Sequence, residues 1–487
     1  MSHNTRAHVR SFLLAGLSSL LVAVAGLGQA NAGVENLGEQ RTAVILVRFQ
    51  NMLEPTQPPE IFDEALFTAP NSTSAFVQES SYGKAWLNGD IFGWYEVGAD
   101  FECVPYTASK ELVLEAIALA DPEIYYPDYQ RIIVITTQMA GPTYCLGSTG
   151  TVGLTGIATD DGPVSASWSL VLWEGSINFS NPLASYSIAH ELTHNFGVWH
   201  ECSYDCGEVT LDPDYADCTY KDYGSPFSVL GFYQYAYHPN GISKDIFGWL
   251  GPDQVNHFST DGLYQVQPLE TAAPGYKTIK IELDTPLTVR YASSLTKTLY
   301  SLYLDYRRPI GFDQRLADLS TFDDGLLLYG TLDVSNNPSV LLDATPESHP
   351  AEFGSTSDFH DAFLKIGKTF YETVNGIAIT PRQLTADGAL DVSVVRYRED
   401  LNSIYGRVSG VSGGAVTVRL YMNRCGAIEL VDTTTTDPNG AYIFSTLLPT
   451  SYQIVAEAGG CSFAEESHTV AIPQAACRQF DFTATCE

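Results

Sequence analysis

Positive charge is scarce in this chain. Of its 487 residues, 25 are Lys or Arg against 57 Asp or Glu, giving a formal net charge of −32. A chain this acidic is repelled by phosphate backbones and anionic lipid headgroups, which excludes nucleic acid as a general partner. Charge of either sign is thin as well, at 17% of residues, below the roughly one quarter usual in soluble domains. With 45% hydrophobic residues, this excludes a disordered chain or a coiled coil and fits packed, β-rich domains. The sequence shows no repeat of fixed period and no low-complexity stretch. Past the first 28 residues it has no run apolar enough to span a membrane. No two cysteines have the CxxC spacing of a zinc knuckle. Length allows several domains at roughly 100–200 residues each.

The N-terminus reads as a targeting segment. Arg6 and Arg10 precede Ser11–Gly28, which is rich in Leu, Ala and Val, and Ala30-Asn31-Ala32 offers small residues where a signal peptidase cuts. Residues 1–32 are therefore expected to be a cleaved signal, an uncleaved anchor being the alternative. Secretion to the extracellular space follows, with no stable membrane insertion after cleavage. A monomer is the expected state. In an oxidising compartment the nine cysteines become disulfide candidates. Cys103, Cys145, Cys202, Cys206 and Cys218 leave one thiol over, whereas Cys425, Cys461, Cys477 and Cys486 suggest two bridges in a small tail domain.

Thr42–Phe49 (TAVILVRF) and Arg131–Thr137 (RIIVITT) read as buried strands, too short and β-branched for helices. Lys110–Ala120 has apolar residues at helical spacing, and Ala166–Trp173 reads as another strand. A helix is expected over Pro182–Phe196, with proline at its first position. Strands mixed with a few helices predict an α/β or α+β region over residues 33–251. From 252 to 402 the helical signal fades. Strand-like runs at Thr278–Leu283, Leu299–Tyr306, Gly325–Leu332 and Leu390–Tyr397, separated by turn residues, predict a sandwich-like β region. Residues 403–487 alternate short strands and turns, as in IYGRVSG, AVTVRLYM and SYQIVAEA, and form a separate all-β module. The expected fold class is multidomain: α+β, then all-β.

The chemically informative stretch is His190-Glu191-Leu192-Thr193-His194-Asn195-Phe196-Gly197-Val198-Trp199-His200. His190 and His194 are four apart and share one helix face, so two imidazoles can bind one zinc ion. Gly197 can take the left-handed conformation that ends a helix, turning the chain so that His200 approaches the same ion. Three neutral nitrogens leave a position open for water, and Glu191 can reach that water as general base. The chain has only 10 histidines, so this pattern arises by chance in on the order of one chain in ten thousand or fewer.

The extended HExxHxxGxxH motif resembles the metzincin metalloproteases, and within them the gametolysin-like family. Ser80-Tyr82-Gly83-Lys84, Gly89–Tyr95 (GDIFGWY), Ser228-Val229-Leu230-Gly231 and Lys244–Leu250 (KDIFGWL) resemble further elements of that family. The likeness covers about residues 40–251. It implies an α+β metzincin-like catalytic domain and hydrolysis of peptide bonds in extracellular or cell-wall proteins. In the family a methionine forms an apolar floor beneath the ligands, and here Leu230 stands in its place, a swap close in volume. Tyr233 lies just past the turn where some members carry a tyrosine that supports the oxyanion, a packing tyrosine being the alternative. The resemblance also implies a substrate strand added beside an edge strand, for which Ala166–Trp173 is the candidate, an ordinary core strand being the alternative.

Asp212–Asp222 holds four aspartates and offers a Ca2+ site, against the alternative of a solvated acidic loop. Asn71-Ser72-Thr73 and Asn178-Phe179-Ser180 fit glycosylation acceptors. The tail resembles carboxypeptidase-regulatory-like and Cna-B-like β-sandwiches through GRVSG, Thr436–Tyr442 and Leu447–Tyr452. The expected activity is thus a zinc endopeptidase with a protein or peptide substrate. The rival is a catalytically inactive, zinc-containing extracellular binding or adhesion protein, for which Leu230 is the support.

Overall fold

The computed structural model describes residues 36–49, 57–98, 109–137, 148–173, 177–207, 209–211, 218–232, 237–292, 295–319, 321–333, 339–346, 358–396, 402–411, 415–424, 427–436, 440–447, 450–472 and 477–486. The expected signal peptide, Tyr233, Cys103, Cys145, Cys425 and most of the proposed calcium loop lie outside them. The chain is mostly β-sheet, with several sandwich-like sheets and few helices.

The first sheet contains β1 (Gly38–Phe49), β2 (Ala85–Val97), β3 (Arg131–Thr137), β4 (Thr149–Gly150), β5 (Thr155–Thr159) and β6 (Gly162–Trp173) in the order β2-β1-β3-β6-β4, with β5 also on β6. The helices are α1 (Pro59–Asp63), α2 (Thr73–Ser80), α3 (Ser109–Ala120), α4 (Tyr186–His194) and α5 (Gly241–Ile246). Strands β1, β2, β3 and β6 run parallel, so both faces of the sheet are covered. Alternation along β1 and β3 sorts the core. Ala43, Ile45, Val47, Ile132 and Val134 pack with Leu112, Val113, Ala116 and Ile117 of α3. Val44, Leu46, Ile133 and Ile135 pack with Ile188 and Leu192 of α4. That second layer is what carries the histidine helix.

Two local expectations are corrected. The helix expected from Pro182 begins at Tyr186, with Ser185 as an extended N-cap. The backbone before it is used elsewhere: Ala184 N donates to Asn71 O and Asn178 N to Ala184 O, which holds this segment as a turn. Ala166–Trp173 is not the sheet edge over its whole length. Residues 155–159 fold back as a hairpin on 162–166, and β4 pairs with Ser169 and Leu170, making β4 the outermost strand on that side.

Strands β7 (Glu201–Asp205) and β8 (Thr219–Lys221) follow the histidine motif directly. Next come β9 (Val255–His257), β10 (Gly262–Val266), β11 (Thr278–Ala292), β12 (Leu295–Tyr306), β13 (Gly325–Leu332), β14 (Ser339–Leu342) and β15 (Leu364–Lys365). Then β16 (Phe370–Glu372), β17 (Ile377–Leu384) and β18 (Leu390–Arg396) complete this part. An eight-stranded sheet runs β8-β7-β14-β13-β12-β11-β9 with β15 on β13, and packs against a four-stranded sheet, β10-β18-β17-β16. Strand β7 pairs in parallel with β14, Glu201 opposite Ser339, so hydrogen bonding crosses the 251/252 boundary drawn from sequence pattern.

Fully buried charges tie the two regions together. The Arg307 guanidinium binds Glu270 at 2.6 Å, contacts Asp313, and donates to Phe227 O at 2.9 Å and His238 O at 3.3 Å. Burying such ions is costly unless every donor is used, and here the donors reach the turn just before Leu230.

The tail holds β19 (Asn402–Ser409), β20 (Thr417–Arg424), β21 (Ala427–Thr435), β22 (Ala441–Leu447), β23 (Ser451–Glu457), β24 (Cys461–Phe463), β25 (His468–Ala471), β26 (Cys477–Gln479) and β27 (Phe482–Cys486). Two sheets, β22-β19-β27-β24 with β26 on β19, and β21-β20-β23-β25, enclose a core of Ile404, Val418, Leu420, Phe444, Ile454 and Phe482. Disulfides join Cys461 to Cys486 and Cys206 to Cys218. Cys202 is the free cysteine among the described residues.

Candidate metal centre

Helix α4 is short and held firmly at its C-terminal end. At its C-terminus Gly197 takes φ +114° and its N–H donates to His194 O, as the sequence predicts. Arg131, fully buried, donates to Asn195 O at 2.7 Å and stacks over Phe196, placing a cation where the helix carbonyls end. Asn195 donates to Thr151 O and Trp168 O, tying the same turn to the first sheet.

The turn brings His200 back to His190 and His194. One ligand atom from each lies within 4.8 Å of the other two, and all three side chains are buried. Each Nδ1 faces an oxygen that can only accept. His190 Nδ1 is 2.7 Å from Val229 O, His194 Nδ1 is 2.9 Å from Val198 O, and His200 Nδ1 is 2.9 Å from Asp222 Oδ1. All three Nδ1 therefore carry hydrogen, which leaves the Nε2 lone pairs for the centre. Burial lowers His190 to about 4 and His194 well below its ordinary value, so both are neutral near pH 7. Yet His190 Nε2 and His194 Nε2 stand 3.2 Å apart. Two lone pairs that close repel unless a cation lies between them. The donor set, three imidazoles with their outer nitrogens fixed, fits a zinc ion.

Glu191 is 5% exposed, and no side-chain hydrogen bond to its carboxyl is seen among the described residues. Burial alone pushes its carboxyl up to about 8. Such a group is a far better proton acceptor than a solvated carboxylate. Leu230 is fully buried in the cluster that contains Ile188, Ala189 and Leu192 of α4, and its carbonyl accepts from Glu201 N. Tyr186 Oη donates to Val229 O at 2.7 Å and lies 3.0 Å from His190 Nδ1, bracing the same oxygen.

Three site features escaped sequence reasoning. Asp222, the last aspartate of the stretch that offers either a Ca2+ site or a solvated acidic loop, receives the His200 hydrogen bond; burial opposes its charge, but His200 outweighs this and holds the carboxyl below its usual range. Asp212–Asp217 lie outside the described residues. Tyr223 has φ +57° and its ring centroid lies 3.5 Å from that of His200 and 5.8 Å from that of His190. Cys202 Sγ lies 3.4 Å from Asp222 Oδ1, and burial raises its thiol well above the ordinary value, so it is an inert wall of the site. Only the DCTYKDY cluster and its nearness to three cysteines hinted at any of this. A cavity of about 1140 Å³ is lined by Glu64, Glu79, Pro182, Arg315 and neighbours, and by none of the three histidines.

Residues 402–481 match a family model described as the second β-sandwich domain of the NOMO1-like subunit of the BOS complex, in keeping with the two-sheet tail. No curated protein matches the chain. Among solved structures, a streptococcal ancillary pilin is 10% identical with a TM-score of 0.16, covering 36% of this chain and 56% of that one. The Bacillus anthracis TIE protein is 12% identical with a TM-score of 0.16, covering 33% and 29%. GBS52, the minor pilin of Streptococcus agalactiae, is 12% identical with a TM-score of 0.15, covering 43% and 96%. This chain thus spans little more than half of the first and under a third of the second. At these scores none assigns it a fold.

Proposed function

We propose that this chain is a secreted zinc-dependent endopeptidase of the metzincin type, similar in motif to the gametolysin-like family, acting on proteins outside the cell. The observation that carries this is the convergence of three histidines whose Nδ1 atoms each face an acceptor oxygen, with two Nε2 atoms 3.2 Å apart, beside the buried Glu191 carboxyl. Disulfides Cys206–Cys218 and Cys461–Cys486 support an oxidising compartment, and among the described residues no helix is long and apolar enough to cross a membrane.

His190, His194 and His200 would hold the metal through Nε2. When bound, a zinc ion would supply Lewis acidity, making water acidic enough to deprotonate near neutral pH and polarising a substrate carbonyl. Glu191 takes the proton onto its carboxylate and returns it to the leaving amine. Val229 O, Val198 O and Asp222 fix the imidazole orientations, so the lone pairs need no rearrangement. Leu230 supplies the apolar support that the family draws from methionine.

The test is hydrolysis of a denatured protein substrate by the purified chain, with and without a chelator, beside Glu191→Ala. Activity abolished by chelator and by the substitution supports the proposal. Full activity in Glu191→Ala overturns the general-base role. Inert wild type that retains stoichiometric zinc favours a binding protein with a structural metal.

A further inference from the structure

A second site lies away from the histidines, between the four-stranded sheet and the tail. A cavity of about 330 Å³ is bounded by Leu263, Arg382 and Val395 on one side and by Tyr405, Arg407 and Tyr442 on the other. This size is within the range of small-ligand sites, which favour junctions between domains. The cavity has charge of one sign at one place. Arg407 is neutralised by Asp391, its Nη2 2.8 Å from Oδ2. Arg382 has no such partner: its guanidinium lies 4.2 Å over the Tyr405 ring, and its Nη1 is buried without a hydrogen-bond partner among the described residues. The nearby Asp481 already accepts from Arg407 N at 2.8 Å and from Gln479 Nε2 at 2.8 Å. Burial holds Arg382 below its ordinary pKa.

A buried guanidinium N–H without an acceptor is costly, and native structures nearly always give it one. An acceptor from outside the chain satisfies it. The remaining wall is apolar and aromatic, from Leu263, Val395, Ile443 and the two tyrosines, with Thr434 and Ser393 at its margin. We propose that this cleft binds a carboxylate carried on an apolar or aromatic body, with Arg382 as the recognising group and Tyr405 holding its plane. The carboxylate could come from a free organic acid or from the C-terminus of a peptide; both present the same two oxygens to the guanidinium. The site is independent of the metal, and gives the tail a share in ligand binding.

The experiment is calorimetric titration of the full chain with three probes: benzoate, N-acetyl-L-phenylalanine, and N-acetyl-L-phenylalaninamide. Binding of one or both acids, with the amide at least about tenfold weaker, is the expected result, as loss of a charge-assisted hydrogen bond dictates. Preference for benzoate identifies a free acid as the source, and preference for N-acetyl-L-phenylalanine a peptide terminus. Arg382→Met should weaken acid binding by at least about tenfold, with Arg382→Lys between it and wild type. Leu263→Trp keeps the arginine and fills the cleft, and should abolish binding even if Arg382→Met does not fold. Equal binding of acid and amide, binding that survives Leu263→Trp, or no acid binding at millimolar concentration overturns the proposal.

Discussion

The Nε2 atoms of His190 and His194 face each other at 3.2 Å with both outer nitrogens committed to backbone carbonyls. In a metal-free chain this is a repulsive pair held in place by α4 and the Val229 turn. Metal binding should therefore stabilise the fold measurably. At a free zinc concentration 100 times the dissociation constant, the gain is about 2.7 kcal/mol. Thermal denaturation with and without zinc should show the rise in wild type and lose it in His194→Ala, and elemental analysis should find one zinc per chain. A chain equally stable in both conditions would count against the site.

His200 depends on Asp222 in a way the other two histidines do not, since its outer nitrogen meets a side chain rather than a carbonyl. Removing such a partner typically costs 10- to 100-fold in metal affinity. Asp222→Ala should show a loss of about that size in competition with a chromophoric chelator, while Asp205→Ala, at the end of the neighbouring strand β7, should leave affinity unchanged.

Glu191 is next to a ligand but makes no hydrogen bond that positions one. Glu191→Gln should keep wild-type zinc affinity and lower kcat by about 10²- to 10⁴-fold, the usual worth of a positioned general base. Loss of metal in this variant would assign the carboxylate a structural role instead.

The histidine motif was legible because its logic is local: four residues make one helical turn, and a glycine ends it. The strands β1 and β3 were legible because Val and Ile runs flanked by polar residues have few alternatives. Arg131 was not, since a lone arginine at the head of RIIVITT gives no sign that its guanidinium will be buried against Asn195 O. Nor was the pairing of β7 with β14: ECSYD carries no periodicity, and its partner Ser339–Leu342 lies far along the chain. Asp222 reaches His200 only because β7 and β8 form a hairpin closed by Cys206–Cys218, a tertiary fact that composition read as a generic acidic loop.

Leu230 is buried among Ile188, Ala189 and Leu192 and contributes backbone rather than polar side-chain contacts to the turn. Leu230→Met should change stability by less than about 1.5 kcal/mol and leave zinc content intact. A large gain in kcat/KM from this one change would show that the natural leucine had impaired the site.

Lys244 sets a pH dependence of stability. It is fully buried between Tyr82 Oη at 3.2 Å, Leu269 O at 3.1 Å and His238 Nδ1 at 3.2 Å. Burial lowers it to about 7, with Glu270, Arg307, Asp313 and Asp305 around it. Between that value and the ordinary 10.5 the unfolded chain holds a proton the folded chain lacks, so stability rises with pH across this window. Glu270, raised to about 8 by burial, works in the opposite direction, but only between its ordinary 4.5 and about 8. Above pH 8, Lys244 acts together with Lys277, which burial lowers to about 8. Above about pH 10, tyrosines such as Tyr82, held protonated by burial, reverse the trend because they ionise first in the unfolded chain. Urea midpoints at constant ionic strength should therefore climb from pH 8 to 9.5. Lys244→Met should reduce that slope by about one proton, or about 1.4 kcal/mol per pH unit. An unchanged slope in the variant would mean that Lys244 keeps its charge in the folded chain throughout this range.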